Sequence, residues 1–491
     1  MVRIRLTYII SGISFLLLLL ILFFIQKREG KLIIKEEEIE KLPYEEEIVE
    51  GKKVKEYWMG VYIRGEKIGY VETREVEKTS GFEINQRMII QAIMLGEKKR
   101  VTAQTIVNTD KDFRLESFDF LLFSPDQEMK LRGERIGTKL KIYYKERFEE
   151  IELGEVAFLP VTLEAFLKEK KIKEGEKISF RMFDPSVKQV ADAILFHKGK
   201  EKIDYKNKKI ETDVYEYEFA GIKQRIYLKD NEIIKEELPF DMVLLKEEKN
   251  EAIKISEKPI DILFKYAVKP KGKKISLNAK KIVYKLSNID PSILDLELGN
   301  QKIIEKGDDY AIIEIEKPYL EEIKDLNINE ELKRYLKPTL FIQSDNSEIR
   351  DSAIKWARGE NYTEKSRNLM HKVFSYLSKE ASVTIPSAIE VLHNKKGDCN
   401  EHSILYASLL RAIGIPSEIV VGLIYQEGYF WYHAWNAVYL NKWVFVDPTY
   451  FEFPASCLHI MLKMGEIEKQ AEVAGIVGKI EIEIIEVSEG S

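Results

Sequence analysis

The spacing of apolar residues changes once along the chain, at Ser347, and this change constrains the fold more than any other feature. Before Ser347, short alternating or apolar runs lie between polar turns, which is typical of antiparallel strands. After it, apolar residues such as Ile349, Ala353 and Trp356 recur at helical intervals. We therefore predict an α+β protein in which antiparallel β-rich domains precede a helical region.

The first β-rich domain is predicted to begin with a hairpin. Trp58 to Ile63 and Ile68 to Val71 are apolar runs on either side of a Gly-containing turn, Arg64 to Lys67. One helix is expected around Leu163 to Lys170. Further short strands are expected at Phe82 to Ile90, Arg114 to Phe123, Lys139 to Tyr144, Val214 to Phe219 and Gln224 to Lys229.

The chain has 491 residues, which is too many for one hydrophobic core. Charged segments and changes of pattern divide it. We predict a transmembrane anchor at 1–26, a charged tether at 27–55, a β-rich domain at 56–250, a second β domain at 260–343, a helical and hairpin domain at 344–460, and a C-terminal β extension at 461–491. In the second β domain, strands are expected at Phe264 to Val268, Lys280 to Leu286 and Tyr310 to Ile315.

The composition excludes several classes of protein. Apolar residues make up 45% of the chain, enough to bury large cores. The 77 basic and 83 acidic residues are interspersed, with a net charge of −6, so no nucleic acid partner is expected. Two cysteines cannot form a disulfide framework. No nucleotide, flavin or calcium motif is present, and no cofactor is expected. The many Lys and Glu residues are a tendency of thermophile proteins.

The amino terminus predicts a membrane location. Leu6 to Ile25 is an uncharged, mostly apolar run, and as a helix it spans ~30 Å, the thickness of the bilayer core. The run is longer than the apolar part of a signal peptide, although a cleaved signal is the alternative. Both flanks are basic, so charge does not decide the orientation. We expect a single-pass protein of the cell membrane that contacts the lipid bilayer through residues 6–25, with its soluble region extracytoplasmic.

Cys399 is predicted to lie at the first position of a helix. Asp398 and Glu401 are spaced like a capping box, and Gly414 and Pro416 end the helical pattern. Backbone N–H groups and the helix dipole stabilise an anion at such a position, so the thiol is expected to ionise more readily. The alternative is a small buried cysteine that only packs in the helix.

A hairpin downstream is predicted to bring His433 and Asp447 together. Its strands flank the polar turn Leu440 to Lys442. A three-residue loop would pair Tyr439 with Trp443 and place His433 and Asp447 on one face as diagonal neighbours. A two-residue loop would put them on opposite faces.

These residues supply a nucleophile, a base and an orienting carboxylate. Cys399 would attack, His433 would accept its proton, and Asp447 would fix the imidazole ring. Further residues are expected to line the cleft around this triad: Trp435, Trp443, Asp398 and Tyr432.

Four segments in this order carry a family resemblance: Gly397-Asp398-Cys399, Leu410 to Pro416, His433-Ala434-Trp435 and Trp443 to Thr449. They resemble the transglutaminase-like superfamily, a papain-like cysteine fold, in its membrane-anchored prokaryotic type. The resemblance covers residues 345 to 460 and implies a helix bundle packed on an antiparallel sheet. It also implies transfer or hydrolysis of protein or peptide amides through a thioester. Transglutaminase, protease and deamidase activities all fit the motif.

Two other functions fit the same residues. One is a zinc site using Cys399, His402, His433 and Asp447. The other is a non-catalytic transglutaminase-like scaffold at the membrane. A pair outside the triad, Cys457 and His459, is expected to pack behind the hairpin.

Overall fold

A computed structural model of the protein describes residues 54–489, except 64, 95–96, 125–126, 155–156, 170–171, 187–188, 220–221, 239–241, 256–266, 380–385, 467–472 and 474–475. The predicted anchor, and the tether up to residue 53, lie outside the described residues. None of the helices in the described part has the length and apolar character of a membrane span. The described residues form two compact units, one before and one after residue 261.

In its described residues, the first unit is a mostly antiparallel sheet of 15 strands with two helices. The strands are β1 (Val54–Ile63), β2 (Glu66–Glu77), β3 (Gly81–Met94), β4 (Glu97–Asp110), β5 (Leu115–Ser124), β6 (Gln127–Ile136), β7 (Lys139–Tyr144), β8 (Arg147–Glu152), β9 (Ala157–Phe158), β10 (Lys177–Asp184), β11 (Gln189–Tyr205), β12 (Lys208–Phe219), β13 (Ile222–Lys229), β14 (Glu232–Leu238) and β15 (Met242–Glu247). The helices are α1 (Pro160–Glu169) and α2 (Lys249–Ala252).

Strand order in this sheet follows the sequence in two runs. β1 to β8 extend in one direction, and β15 back to β9 extend in the other from the β1–β15 pair. Among the described strands of this sheet, only the short β9–β10 pair is parallel. The predicted hairpin is confirmed as β1 and β2, with Gly65 at positive φ in the turn. The other predicted strands and the helix of this domain are also confirmed.

The second unit contains a five-stranded sheet. Its strands are β16 (Lys271–Gly272), β17 (Lys281–Ser287), β18 (Gln301–Lys306), β19 (Tyr310–Glu316) and β26 (Glu481–Ser488), in the order β16-β26-β17-β19-β18. The last strand of the chain lies between β16 and β17, so the predicted segments 260–343 and 461–491 share one sheet. The predicted strand Phe264 to Val268 lies outside the described residues up to position 266.

The rest of this unit combines helices with a smaller sheet. The helices are η1 (Leu332–Leu336, 3₁₀), α3 (Ser347–Trp356), α4 (Tyr362–Tyr376), α5 (Ala388–Asn394) and α6 (Cys399–Ala412), and the strands are β20 (Ser378–Lys379), β21 (Lys396–Gly397), β22 (Ser417–Gln426), β23 (Tyr429–Tyr439), β24 (Trp443–Val446) and β25 (His459–Met464). Four strands form a sheet in the order β24-β23-β22-β25. Helix α6 is buried along almost its whole length, because it contacts α3, α4 and α5 as well as β22 and β23.

Candidate active site

Cys399 begins α6, as the sequence predicts. Asp398 is the N-cap, and its Oδ1 accepts a hydrogen bond of 3.1 Å from the Asn400 backbone N–H. Glu401 completes the capping box, since its Oε2 accepts from the Asp398 N–H at 2.9 Å. Gly414 has φ of +81° just beyond the last turn. Local sequence therefore fixes both ends of the helix that presents the thiol.

The register of the β23–β24 hairpin is also the predicted one. Tyr439 pairs with Trp443 across a three-residue loop, in which Asn441 adopts positive φ. This pairing leaves His433 and Asp447 on the same face of the hairpin. The hydrogen bond between His433 Nε2 and Asp447 Oδ2 measures 2.7 Å, so the predicted proximity is confirmed.

The Asp447 carboxylate accepts four hydrogen bonds. Oδ1 accepts from the backbone N–H groups of Thr449 and Tyr450, and Oδ2 accepts from two imidazoles, those of His433 and His459. Burial raises the pKa of Asp447, but the charge and hydrogen bond of His433 and the bond from His459 outweigh it. The net pKa lies well below the ordinary value, so the group is a stable anion.

The sulfur of Cys399 lies beside the backbone N–H of Ala434, the residue after His433. The side-chain amide of Asn400 is 3.9 Å from Sγ. His433 Nδ1 is buried and has no hydrogen-bond partner among the described residues. The start of α6 and the middle of β23 bring Cys399 and His433 to neighbouring backbone positions.

The predicted ease of ionisation of this thiol is wrong for the structure observed. Burial raises the pKa of Cys399 well above the ordinary value, and the charge of Asp398 raises it further. The N–H of Ala434 lowers it by less. Cys399, His433 and Asp447 are all almost completely buried, so loss of water outweighs the effect of the helix start.

His459 belongs to the site, although the sequence analysis gave it only a packing role. It begins β25, and its Nε2 lies 3.0 Å from Asp447 Oδ2. Burial lowers the pKa of His459, but the bond to Asp447 and the charge of Glu452 outweigh this and raise it. The one available signal was a histidine 12 residues after Asp447, at the start of an apolar strand.

Three of these atoms have the spacing of a possible metal site. Among the described residues, His433, Asp447 and His459 offer ligand-type atoms within 4.8 Å of one another. Cys399 and His402 of the zinc alternative are not in this group. Around a tetrahedral zinc ion neighbouring ligand atoms lie about 3.3 Å apart, since each bond is about 2.0–2.1 Å. The observed separations of 2.7 and 3.0 Å are shorter and fit hydrogen bonds better.

His402 occupies the first turn of α6 and faces inward. Its Nδ1 lies 2.6 Å from the Asp398 carbonyl oxygen, which fixes the ring against the start of the helix. Burial lowers the pKa of His402 to about 4, so the ring is neutral at pH 7.

The four residues predicted to line the cleft occupy different places. Trp435 is fully buried and its ring stacks on His433, with centroids 5.9 Å apart. Asp398 caps α6 beside the thiol. Trp443 packs against Tyr335 and Tyr439 rather than the triad, and its role in the cleft stays a prediction.

Tyr432 lies on the strand face opposite His433, because side chains alternate along β23. It is buried there, near the Gly478 backbone. This position does not support the cleft-lining role that the sequence analysis gave it.

A comparison with protein families identifies the class of this domain. Residues 353–448 match the model of the Transglutaminase-like superfamily. The match contains the start of α6, the whole β23–β24 hairpin and Asp447 directly after it, whereas His459 lies beyond its end. The chain therefore contains a transglutaminase-like domain. No curated protein matches the chain.

Several solved structures are similar to parts of the chain. A candidate cysteine protease from Cytophaga hutchinsonii is 16% identical, with 41% of this chain and 83% of that chain covered and a TM-score of 0.31. A β-barrel-like protein of unknown function from Brucella abortus is 13% identical over 39% and 94%, with a TM-score of 0.30. A candidate protease from Parabacteroides distasonis is 12% identical over 80% and 69%, with a TM-score of 0.22.

Proposed function

We propose that the protein is a cysteine acyl-transfer enzyme that acts on protein or peptide amides through a thioester. Cys399 is the nucleophile, His433 the base and Asp447 the orienting carboxylate. The observation that carries this proposal is the 2.7 Å bond from His433 Nε2 to Asp447, which leaves His433 Nδ1 directed away from the carboxylate. The transglutaminase-like domain match supports it.

The reaction takes place in two stages. His433 Nδ1 accepts the thiol proton as Cys399 Sγ attacks the amide carbonyl carbon, and a backbone N–H at the start of α6 stabilises the oxyanion. The intermediate collapses to a thioester, and His433 returns the proton to the departing amine. Water or a second amine then attacks the thioester and regenerates the thiol. Asp447 keeps one tautomer of His433 in place and stabilises its charged form.

Substrate must reach a sulfur that is fully buried in this structure. Binding therefore requires displacement of side chains that cover the triad, and Tyr450, whose ring centroid lies 5.3 Å from that of His433, is one of them. Partial opening also readmits water and lowers the thiol pKa towards its ordinary value.

The test uses an activated ester, p-nitrophenyl acetate, with the purified chain. We expect a burst of p-nitrophenolate and an acetyl group on Cys399 by mass spectrometry. The Cys399→Ala variant is expected to give neither. Cys457→Ala is the matched control, because Cys457 is the other free cysteine and its Sγ contacts the Lys280 carbonyl oxygen instead. An unchanged burst in the Cys399→Ala variant would refute the proposal.

The natural reaction is identified by mass spectrometry of envelope peptides from cells with the wild-type protein or the Cys399→Ala variant. New isopeptide links indicate a transglutaminase, clipped peptides a protease, and deamidated glutamines a deamidase. Identical peptides in both strains would contradict all three.

A non-catalytic scaffold is the second candidate function. The complete burial of Cys399 and the raised pKa of its thiol favour it. A scaffold predicts no acetyl-cysteine and no burst at any pH from 6 to 9, together with unchanged binding of partners by the Cys399→Ala variant.

The location proposed for the protein is the membrane, with the soluble region extracytoplasmic. Its support is the 20-residue apolar run, Leu6 to Ile25. Cell fractionation followed by protease treatment of spheroplasts tests it. Recovery in the soluble fraction with the natural amino terminus intact would contradict the anchor, and protection from the protease would reverse the orientation.

A further inference from the structure

His459 is a buried histidine for which the two-stage reaction above has no task. It comes from β25, an edge strand of the four-stranded sheet, where it pairs with Ile424 of β22. Asp447 follows β24, the strand at the other edge. The 3.0 Å bond between His459 Nε2 and Asp447 Oδ2 therefore joins the two edges through the carboxylate that orients His433.

The Asp447 carboxylate has no acceptor position to spare. An ionised carboxylate offers about four lone-pair sites, and four donors occupy them here. Oδ1 is fixed by two backbone N–H groups, whereas Oδ2 depends on the two imidazoles. Without His459, Oδ2 would keep a single donor, and the carboxylate could rotate about its bond to Cβ while His433 follows it.

The ring of His459 is itself held in place on all sides. The Trp435 ring packs edge-on against it at 5.2 Å, and the same indole stacks on His433. On the far side, His459 Nδ1 faces Ser456 Oγ at 3.4 Å and Glu452 Oε2 at 3.9 Å. Glu452 Oε2 in turn accepts the Ser456 N–H at 2.8 Å. A ring supported in this way has its Nε2–H aimed at one point, which is Asp447 Oδ2.

We propose that His459 is a positioning residue of the cysteine site, and that its Nε2–H bond to Asp447 keeps His433 Nδ1 directed at Cys399. This inference rests on the proposed function. Strand β25 and the connection 447–459 then take part in the reaction, because the orientation of His433 depends on a hydrogen-bond donor, His459, that is distant in sequence.

The experiment measures the acylation rate and KM for p-nitrophenyl acetate in matched variants. His459→Phe keeps an aromatic ring against Trp435 and removes the donor, and His459→Gln restores an N–H near the position of Nε2. We expect the His459→Phe variant to lose about 10- to 100-fold in acylation rate, the usual range for removing an outer partner of a functional side chain, with KM within about 3-fold. The His459→Gln variant should recover at least about 10% of the wild-type rate. His393→Ala is the control, because His393 is exposed and, in the described part of the chain, its ion pair is with Glu348.

The outcomes separate this inference from the proposed function. If Cys399→Ala keeps the burst, the proposed function fails and the inference fails with it. If Cys399→Ala is inactive but His459→Phe equals wild type, only the inference fails. One zinc ion per chain in the purified protein, lost in His459→Phe, would make His459 a metal ligand and overturn it. Should His459→Phe not fold, His459→Ala replaces it in the comparison with His459→Gln: a loss of about 10-fold or more in His459→Ala with a higher rate in His459→Gln supports the inference, and equal rates in the two variants overturn it.

Discussion

The two units of the chain both bury carboxyl groups, but the pKa values of these groups shift in opposite directions. In the first unit, Asp184 is 1% exposed, and burial raises its pKa to about 7 although Ser186 donates two hydrogen bonds to it. Burial likewise raises the pKa of Glu236 well above the ordinary value. In the second unit, Asp447 is equally buried and its pKa is well below the ordinary value.

The difference shows what decides the charge of a buried carboxyl. Desolvation is the largest single effect on Asp184 and on Asp447, and it favours the neutral acid in both. Hydrogen bonds from the neutral donors of Ser186 do not reverse it. The charges and hydrogen bonds of two imidazoles do reverse it at Asp447. Asp447 is therefore an anion at the proposed active site because of the groups that contact its carboxylate. Four predictions test this view, from the largest expected effect to the smallest.

The largest effect is expected for Asp447→Asn. The amide cannot hold the required His433 tautomer, so we expect acylation by p-nitrophenyl acetate to fall by about 10⁴-fold. The variant also leaves the imidazoles of His433 and His459 without their anionic partner. We expect this to lower the free energy of unfolding by about 3 kcal/mol at pH 7. Asp308→Asn, at an exposed position, is the control and should change neither quantity.

The pH dependence of the Asp447→Asn variant has a defined sign. The folded-state pKa of Asp447 is lowered, so its contribution to stability is present above the unfolded-state pKa of about 3.9 and is lost as the pH falls further. The stability gap between wild type and variant should therefore narrow below about pH 4. It should also narrow as the pH rises above about 6.5, because Asp447 helps to raise the pKa of His459, and the stability from that raised pKa is lost as the ring deprotonates. A gap that widens in acid would show that Asp447 is not an anion in the folded protein.

The second prediction concerns Asp184→Asn and has the opposite sign. The folded-state pKa is about 7 against an ordinary 3.8, so the wild-type protein loses stability as the pH rises between these values. The loss is about 4 kcal/mol at most, from 1.36 kcal/mol per unit. The amide oxygen can still accept from Ser186, so the variant should show no such loss and should be the more stable protein at pH 8.

Denaturant titrations at pH 4, 5.5, 7 and 8 measure this effect in the full chain. Asp192→Asn is the matched control, because its side chain is 71% exposed and pairs with an exposed arginine. The control should keep the wild-type slope of stability against pH. Equal slopes for wild type and the Asp184→Asn variant would mean that burial does not govern Asp184.

The residues around Asp447 also show which features of the site could be predicted from the sequence and which could not. Alternation along two adjacent strands and a three-residue loop sufficed to pair His433 with Asp447, because both signals are local. Capping chemistry placed Cys399 at a helix start for the same reason. The place of His459 in the site was not predicted, because this residue lies on another strand after a long connection, and no short-range sequence pattern indicates the path of that connection. The burial of the thiol is likewise a result of tertiary packing.

The cap of α4 shows that even local signals compete. Asn361 and Thr363 both lie at the start of α4, and the N-cap is Asn361, whose side chain accepts from the Glu364 N–H at 2.9 Å. The Thr363 hydroxyl donates instead to the Glu321 carbonyl oxygen. Both residue types suit a helix start, and a contact distant in sequence decided between them.

The third prediction concerns Lys168, whose positive charge lies beside buried carboxyls of the first unit. Lys168 Nζ lies 2.8 Å from Glu75 Oε1, with both side chains largely buried, and its charge lowers the pKa values of Glu164 and Glu236. Lys168→Met keeps a side chain of similar length at this position and removes the positive charge beside these carboxyls. We expect a loss of about 3 kcal/mol in unfolding free energy at pH 7. The loss should shrink at pH 5, because protonation of the carboxyls relieves their repulsion.

The smallest effect is expected for Lys200→Met, which is the matched control for Lys168. Its ion pair with Glu211 at 3.4 Å is more than half exposed on both sides, so water screens it. We expect a change of under about 1 kcal/mol with no dependence on pH between 5 and 7. Chemical denaturation of the two variants side by side measures both. If Lys200→Met instead destabilises the protein as much as Lys168→Met does, burial does not determine how much a charged partner contributes to stability. In that case the contrast between Asp184 and Asp447 needs another cause.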